Sequence, residues 1–172
     1  MKRWMMFFAV AALAFAAGAG ERPYAPSTIP GKKWQDAQFK IVKPKGGHDL
    51  PKVLAQAKKE GKFVFVQVGR ENCTNTLQLW HMLADGRVAL PKNFLYADIS
   101  GDDEEMRAAF DERFTIDDDG FWFPYVVLVG PDGSQLASCS GRHTPEEYNA
   151  MLKKAVADYT CLLYTSPSPR DA

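Results

Sequence analysis

The sequence predicts an α/β fold of three layers, in which a central mixed sheet carries helices on both faces. Amphipathic helical stretches alternate with short apolar stretches over residues 48–160, in the order α-β-α-β-α-β-β-α. The first strand, residues 63–68 (FVFVQV), is apolar at nearly every position, as expected for a strand that is covered on both faces. A βαβ unit followed by a crossover helix, a β-hairpin and a closing helix produces this architecture.

Composition excludes several classes of protein. The chain has 172 residues, of which 46% are hydrophobic and 24% charged, so a disordered, collagen-like, coiled-coil or multi-span membrane protein is not expected. Lys and Arg number 21 and Asp and Glu also 21, so net charge gives no reason to expect a nucleic-acid partner or an anionic membrane surface. Three cysteines are too few for a small fold held together by disulfides.

Residues 1–19 have the pattern of a secretory signal peptide. Lys2 and Arg3 precede an apolar run over residues 4–17, and Ala17, Gly18 and Ala19 supply a small-residue cleavage pattern. A membrane anchor is the alternative, but the run is short for a bilayer span. We therefore expect an exported protein, periplasmic or secreted, with no stable membrane insertion after signal removal, in a compartment that permits disulfides.

Two further segments lie outside the expected domain at residues 48–160. Residues 20–47 contain four prolines and no sustained period, which predicts an extended lead-in segment, with a short strand possible at residues 38–42. Residues 161–172 (CLLYTSPSPRDA) show no helical or strand period. They resemble the translation of a transposon-end sequencing adaptor, and an ordinary disordered Ser/Pro tail is the alternative.

Residue signals mark the individual elements of the domain. Asp49 is a suitable N-cap for a first helix that ends near Gly61, and a second helix begins near Cys73. Thr144 and Glu147 have the spacing of a capping box at the start of the last helix. The remaining expected elements are a strand at residues 93–99, a helix at residues 102–114 and hairpin strands at residues 124–129 and 135–140.

The order and spacing of three motifs resemble the thioredoxin-like superfamily, in particular its exported members. The motifs are residues 58–62 (KKEGK) before the first strand, Cys73 five residues after that strand, and Phe123-Pro124 followed by residues 129–133 (VGPDG). The resemblance covers roughly residues 49–158 and implies thiol–disulfide chemistry. It also implies a cis peptide bond at Pro124, beside the site cysteine.

The site departs from the pattern of that superfamily. The usual Cys-x-x-Cys reads Cys73-Thr74-Asn75-Thr76, so the nucleophilic position is kept and the resolving thiol is replaced by Thr76. Gln67 stands where an acidic residue is common, and Asn72 stands where Trp is usual. A mixed disulfide needs a nearby second thiol for its resolution, which Thr76 does not provide. The resemblance therefore implies a degenerate, monothiol site.

We predict that Cys73, Thr76 and Pro124 are catalytic and that Trp122, Phe123 and Asn72 bind substrate. A cysteine in the first turn of a helix has its thiolate stabilised by unpaired N–H groups and by the positive helix end, and the Thr76 hydroxyl could donate a hydrogen bond to it. The alternative for Cys73 is an inert, half-buried small residue.

Two functions follow from these residues. The first is monothiol exchange with thiol- or disulfide-containing protein clients or small thiols, without a cofactor. The second is a non-catalytic thioredoxin-fold module that binds protein through the Trp122 region. A thiol peroxidase is not expected, because position 70 is Arg and the Thr-x-x-Cys arrangement is missing.

Other candidate sites are weaker. Leu136 and Cys139 are three residues apart and are expected on opposite faces of their strand, which disfavours a disulfide between Cys73 and Cys139. No metal site is predicted, because the three histidines, His48, His81 and His143, are not separated from one another or from Cys73 by the short spacings typical of metal ligands. The acidic loop at residues 117–119 lacks the spacing and the closing Glu of an EF-hand.

Overall fold

The computed structural model describes residues 43–116 and 120–165. The predicted signal peptide at residues 1–19, the strand expected at residues 38–42 and the acidic loop at residues 117–119 lie outside the described residues. Residues 166–172 of the expected tail lie outside them too. The lead-in segment is described from residue 43 onward.

Within the described part of the chain, helices and strands follow the predicted order. The sheet has the strand order β2-β1-β3-β4, with β1 parallel to β2 and antiparallel to β3, and β4 antiparallel to β3. The sheet is therefore mixed, as predicted. The elements are α1 (Leu50–Glu60), β1 (Phe63–Gly69), α2 (Thr74–Ala84), β2 (Phe94–Ser100), α3 (Glu104–Arg113), β3 (Tyr125–Val129), β4 (Gln135–Ser140) and α4 (Pro145–Thr165).

Apolar side chains cover both faces of the sheet. On one face, α1 and α3 pack through residues such as Leu50 and Phe110 against the β1 residue Val66. On the other, α2 and α4 pack through residues such as Leu79 and Leu152 against other strand residues. β1 thus sends alternate side chains into two separate apolar layers, which is why it is apolar at nearly every position. The predicted three-layer α/β fold is confirmed.

The predicted helix caps are confirmed as well. The Asp49 carboxylate accepts a hydrogen bond from the Lys52 backbone N–H at 3.1 Å, and α1 ends at Gly61 with a left-handed φ of 64°. At the start of α4, the Glu147 N–H donates to the Thr144 hydroxyl at 3.2 Å and the Thr144 N–H donates to the Glu147 carboxylate at 2.8 Å. This reciprocal pair is the predicted capping box.

The end of the lead-in segment pairs with the sheet. Gly47 forms a parallel bridge with Ala97 of the edge strand β2. Its N–H donates to the Tyr96 carbonyl and its carbonyl accepts from the Asp98 N–H, each at 3.0 Å. This pairing places Lys43 and His48 at the edge of β2, near the polar cluster described below.

The prediction that Leu136 and Cys139 lie on opposite faces of β4 is wrong. Both pack against the apolar layer beneath α2 and α4. The reason is a β-bulge: Leu128 pairs with Ala137 whereas Val129 pairs with Gln135, so Leu136 is an extra residue between two ladder positions. A bulge removes the alternation of faces on which the prediction depended.

The last helix is longer than the sequence analysis indicated. Residues 161–172 showed no helical period, yet α4 continues through Thr165. Gly and Pro are absent between Glu146 and Ser166, and Pro167 is the first residue that would stop a helix. The interpretation of residues 161–172 as an adaptor translation stays a prediction.

None of the described helices has both the length and the apolar composition that crossing a bilayer requires.

Candidate functional site

Cys73 lies between β1 and α2, where it serves as the N-cap of the helix. Its backbone is extended, with φ −91° and ψ 114°, and its carbonyl accepts from the Leu77 N–H at 3.0 Å. Its side chain forms no capping hydrogen bond, and the residue is half-buried. Cys73 therefore begins α2, as predicted, and the stabilisation of its thiolate by the unpaired N–H groups of the first turn stays a prediction.

The peptide bond between Phe123 and Pro124 is cis, as the resemblance implied. It immediately precedes β3, the strand that pairs with β1. The Cys73 thiol donates a weak hydrogen bond to the Phe123 carbonyl, with 3.9 Å between Sγ and oxygen. The fold thus brings Cys73 and Phe123 together although 50 residues separate them.

Thr76 is fully buried, and its hydroxyl does not make the hydrogen bond to Cys73 that we expected. Its Oγ1 accepts from the Arg70 backbone N–H at 3.3 Å. Among the described contacts, no hydrogen bond links Thr76 to Cys73. The side chain instead packs on Gly69, where an added Cβ would come within 2.5 Å of Thr76 Cγ2. Thr76 therefore holds the turn that precedes α2, a role that depends on the close approach of a glycine.

The three predicted substrate-binding residues lie in the two loops that meet at the sulfur. The Trp122 side chain is 69% exposed, while its backbone N–H donates to Ser140 Oγ at 2.9 Å and its carbonyl accepts from the Gly141 N–H at 3.0 Å. Phe123 is half-buried, and Asn72 is exposed in the turn before Cys73. Their role in substrate binding stays a prediction.

The remaining cysteines lie elsewhere. Cys73, Cys139 and Cys161 are all thiols in the structure. Cys139 pairs with Val126 in the sheet and packs toward the layer beneath α4, whereas Cys161 is exposed on α4. In the described ranges, no group of three or more His, Cys, Asp or Glu side chains is arranged to hold a metal ion.

A buried polar cluster beneath α2 was not predicted. Gln67 of β1 lies opposite Asp98 of β2 in the parallel register, and both are buried. The Tyr96 hydroxyl donates to Gln67 Oε1 at 3.0 Å and lies 3.5 Å from the Asp98 carboxylate. The Gln67 Nε2 and the Trp80 Nε1 are buried and make no hydrogen bond within the described structure. An Asp inside the apolar stretch of residues 93–99 was the signal in the sequence.

Burial raises the pKa of Asp98 above its ordinary value of 3.8, although the positive charges of His48 and Lys43 oppose this. The Trp80 indole N–H also favours the ionised carboxylate, but it does not reach hydrogen-bond geometry with it. Asp98 borders a small cavity of about 110 Å³ that extends to Glu71 in the turn before Cys73. The carboxyl is thus disfavoured as an anion in the folded protein.

We expect Asp98→Asn to stabilise the fold at neutral pH. Because the folded pKa of Asp98 is raised above 3.8, the ionised carboxylate destabilises the fold at neutral pH. That effect shrinks as pH falls through the folded pKa and is absent below 3.8. Urea unfolding at neutral and acidic pH measures the difference.

The matched control is Asp158→Asn, which removes a carboxylate that is 60% exposed and paired with Lys154 on the surface. We expect little change at either pH, because exposed ion pairs contribute little stability. An Asp98→Asn variant less stable than the parent at neutral pH, or equally stabilised at acidic pH, would contradict the assignment.

Comparison with known proteins gives likenesses in structure only. No protein-family model and no curated protein matches the sequence. A redox protein from Chlamydomonas reinhardtii matches with a TM-score of 0.50 and 16% identity, over 62% of this chain and 32% of that one. The present chain therefore spans about a third of that protein.

Two further solved structures match at lower TM-scores. A thioredoxin from Fasciola hepatica has a TM-score of 0.45 and 18% identity, over 64% of this chain and 90% of that chain. The C-terminal domain of DsbD from Neisseria meningitidis, in the oxidised form, has a TM-score of 0.48 and 14% identity, over 64% of this chain and 99% of that chain. At such identities a likeness concerns the fold alone.

Proposed function

We propose that this chain, which has a thioredoxin-like fold, performs monothiol-type thiol–disulfide exchange with Cys73 as its nucleophile. The observation that carries the proposal is the position of the sulfur. It lies at the start of α2, half-buried, and 3.9 Å from the carbonyl of Phe123, the residue before the cis proline. The clients would be proteins that contain disulfides, and small thiols would take part by releasing the mixed disulfide.

The chemical step is a single exchange. The Cys73 thiolate attacks one sulfur of a client disulfide, a bond forms between Cys73 Sγ and that sulfur, and the client disulfide breaks. The second client sulfur leaves with the electron pair and takes up a proton from water. The attacking sulfur belongs to the N-cap residue of α2, and the N-terminus of a helix is a place where reactive cysteines commonly occur.

The mixed disulfide would then persist until a thiol from outside this chain releases it, either the client's own second thiol in the reverse reaction or a small thiol. Thr76, one turn along α2, carries a hydroxyl that cannot attack a disulfide. Cys139 is directed into the layer beneath α4. Release by a small thiol such as glutathione restores the Cys73 thiol and leaves a mixed disulfide on the client.

The proposed function includes export, which the sequence of residues 1–19 predicts. A signal peptide at residues 1–19 would send the domain to a periplasmic or extracellular space, where client disulfides persist. We propose this location together with the activity. Detection of the mature protein in a periplasmic or secreted fraction, cleaved near Ala19, tests it.

A second candidate is a non-catalytic module that binds protein through Trp122. The observation in its favour is the exposure of the Trp122 side chain, 69%, on a loop whose backbone is held by Ser140 and Gly141. Large exposed aromatic side chains often serve as binding anchors. Under this function, Cys73→Ala would bind a protein partner as the parent does, whereas Trp122→Ala would not.

Alkylation by iodoacetamide as a function of pH tests the reactivity on which the exchange depends. We expect Cys73 to alkylate at least about tenfold faster than Cys139 near neutral pH, because Cys73 lies at a helix start and Cys139 packs beneath α4. Peptide mass mapping assigns each rate, so Cys139 is an internal control. Equal rates for the two thiols would contradict the proposal and favour the binding module.

A further inference from the structure

Arg70 contacts the site through its backbone. It follows the last residue of β1 and lies three residues before Cys73. The Cys73 N–H donates to the Arg70 carbonyl at 3.1 Å, and the Arg70 N–H donates to Thr76 Oγ1 at 3.3 Å. These two hydrogen bonds close the turn that leads into α2.

The Arg70 side chain leaves this turn and reaches two other loops. Its guanidinium carbon lies 4.7 Å from the centroid of the Phe123 ring, and its Nε donates to the Asp102 carboxylate at 2.8 Å. The side chains of Arg70 and Asp102 are 45% and 58% exposed. An ion pair this exposed contributes little to stability, so its main consequence is the direction in which it holds the guanidinium.

The Phe123 ring also lies against Gly101. A Cβ added at Gly101 would come within 2.5 Å of Phe123 Cζ, and the Gly101 N–H donates to the Gly69 carbonyl at 2.8 Å. Phe123 therefore contacts both the Arg70 guanidinium and the backbone that follows β2. The Phe123 carbonyl accepts the weak hydrogen bond from the Cys73 thiol.

We propose that Arg70 is a positioning residue that holds the Phe123-Pro124 loop against Cys73. This inference rests on the proposed function and names a residue through which that site accepts its client. Arg70 joins the turn before Cys73, the loop after β2 and the loop before β3. A client disulfide must fit between Cys73 and Phe123-Pro124, whereas a small alkylating reagent needs only the sulfur.

The experiment compares two reagents on Arg70→Ala. The disulfide-linked dimer of the peptide Gly-Phe-Cys-Ala-Gly probes capture of a client, and iodoacetamide probes the sulfur alone. We expect capture to slow by about tenfold, because a small misplacement of reacting groups is costly, and alkylation to change by less than about twofold. Near-parent thermal unfolding would show that the variant is folded.

Arg107→Ala is the matched control. The Arg107 guanidinium carbon lies 3.6 Å from the centroid of the Phe121 ring, and its Nε donates to Asp111 at 2.8 Å. Arg107, like Arg70, places a guanidinium over a phenylalanine ring and pairs with an Asp carboxylate. The ring that it contacts is Phe121, which packs edge-on against Phe123 and is therefore not the ring next to Cys73. Capture by Arg107→Ala is expected within about twofold of the parent.

Two other variants test the geometry independently. Gly101→Ala must displace the Phe123 ring without changing Arg70, so it should slow capture selectively as well. Arg70→Lys keeps the charge but lacks the planar group that stacks on the ring, so its capture rate should stay within about threefold of that of Arg70→Ala. Full recovery by lysine would overturn the inference.

The outcomes separate this inference from the proposed function. A parent chain that captures no peptide dimer contradicts the proposed function itself. Capture by the parent with an equal rate for Arg70→Ala overturns only the role of Arg70. An equal loss of capture and alkylation also overturns it, because Arg70 would then act on the sulfur and not on the position of the Phe123-Pro124 loop.

Discussion

Cys73→Ser is expected to abolish covalent capture of a disulfide client. A serine hydroxyl at the start of α2 does not ionise near neutral pH and does not attack a disulfide, so the loss should exceed about 100-fold. Because Cys73 is half-buried and its side chain caps no helical N–H, this substitution should leave the fold intact. Peptide mass mapping after incubation with a client disulfide measures the adduct on residue 73 separately from any adduct on the exposed Cys161.

Cys139→Ser is the matched control for that experiment. It removes a thiol that packs beneath α4, and it should leave the yield of adduct within about twofold of the parent. An undiminished adduct in Cys73→Ser would show that another thiol reacts. That outcome would contradict the assignment of the nucleophile.

Thr76→Cys is expected to convert capture into turnover. The new thiol would lie one helical turn from Cys73, so it could attack the mixed disulfide, release the client and leave a disulfide between residues 73 and 76. With dithiothreitol as reductant, insulin reduction should rise by about tenfold or more over the parent. The loss of Thr76 Oγ1 as acceptor for the Arg70 N–H should cost about 1 kcal/mol of stability.

Thr74→Cys is the control for Thr76→Cys, because it adds a second thiol at a position from which it should not resolve the mixed disulfide. Thr74 adjoins Cys73 and is exposed, and adjacent cysteines do not close an unstrained disulfide. Insulin reduction should therefore stay near the parent rate. Turnover restored equally by both variants, or by neither, would contradict the explanation that a resolving thiol at position 76 is what the site lacks.

Much of the fold could be predicted because its signals are local. Asp49, Gly61 and the pair of Thr144 and Glu147 mark helix ends through contacts that span only a few residues. The nearly continuous apolar sequence of residues 63–68 predicted a strand that is buried on both faces. The position of Cys73 at the start of α2 followed from the same local reasoning, and its nearness to Phe123-Pro124 followed from the resemblance.

The features that escaped prediction depend on contacts between distant segments. The pairing of Gln67 with Asp98 is a matter of strand register, which parallel strands linked by a helix do not reveal in their sequence. The stacking of Arg70 on Phe123 depends on how two loops meet. The bulge at Leu136 likewise cannot be predicted from the residues around it. It places Cys139 on the same face of β4 as Leu136, not on the opposite face as expected.

The persistence of the adduct is the most direct measurement of the central claim. The reduced protein is mixed with the disulfide-linked peptide dimer, and its intact mass is followed with and without added glutathione. After desalting has removed the peptide thiol that the capture step releases, we expect one peptide on Cys73, stable until an outside thiol is added and lost when glutathione is added. Rapid release of the peptide without glutathione, or no adduct on Cys73 at all, would contradict the account.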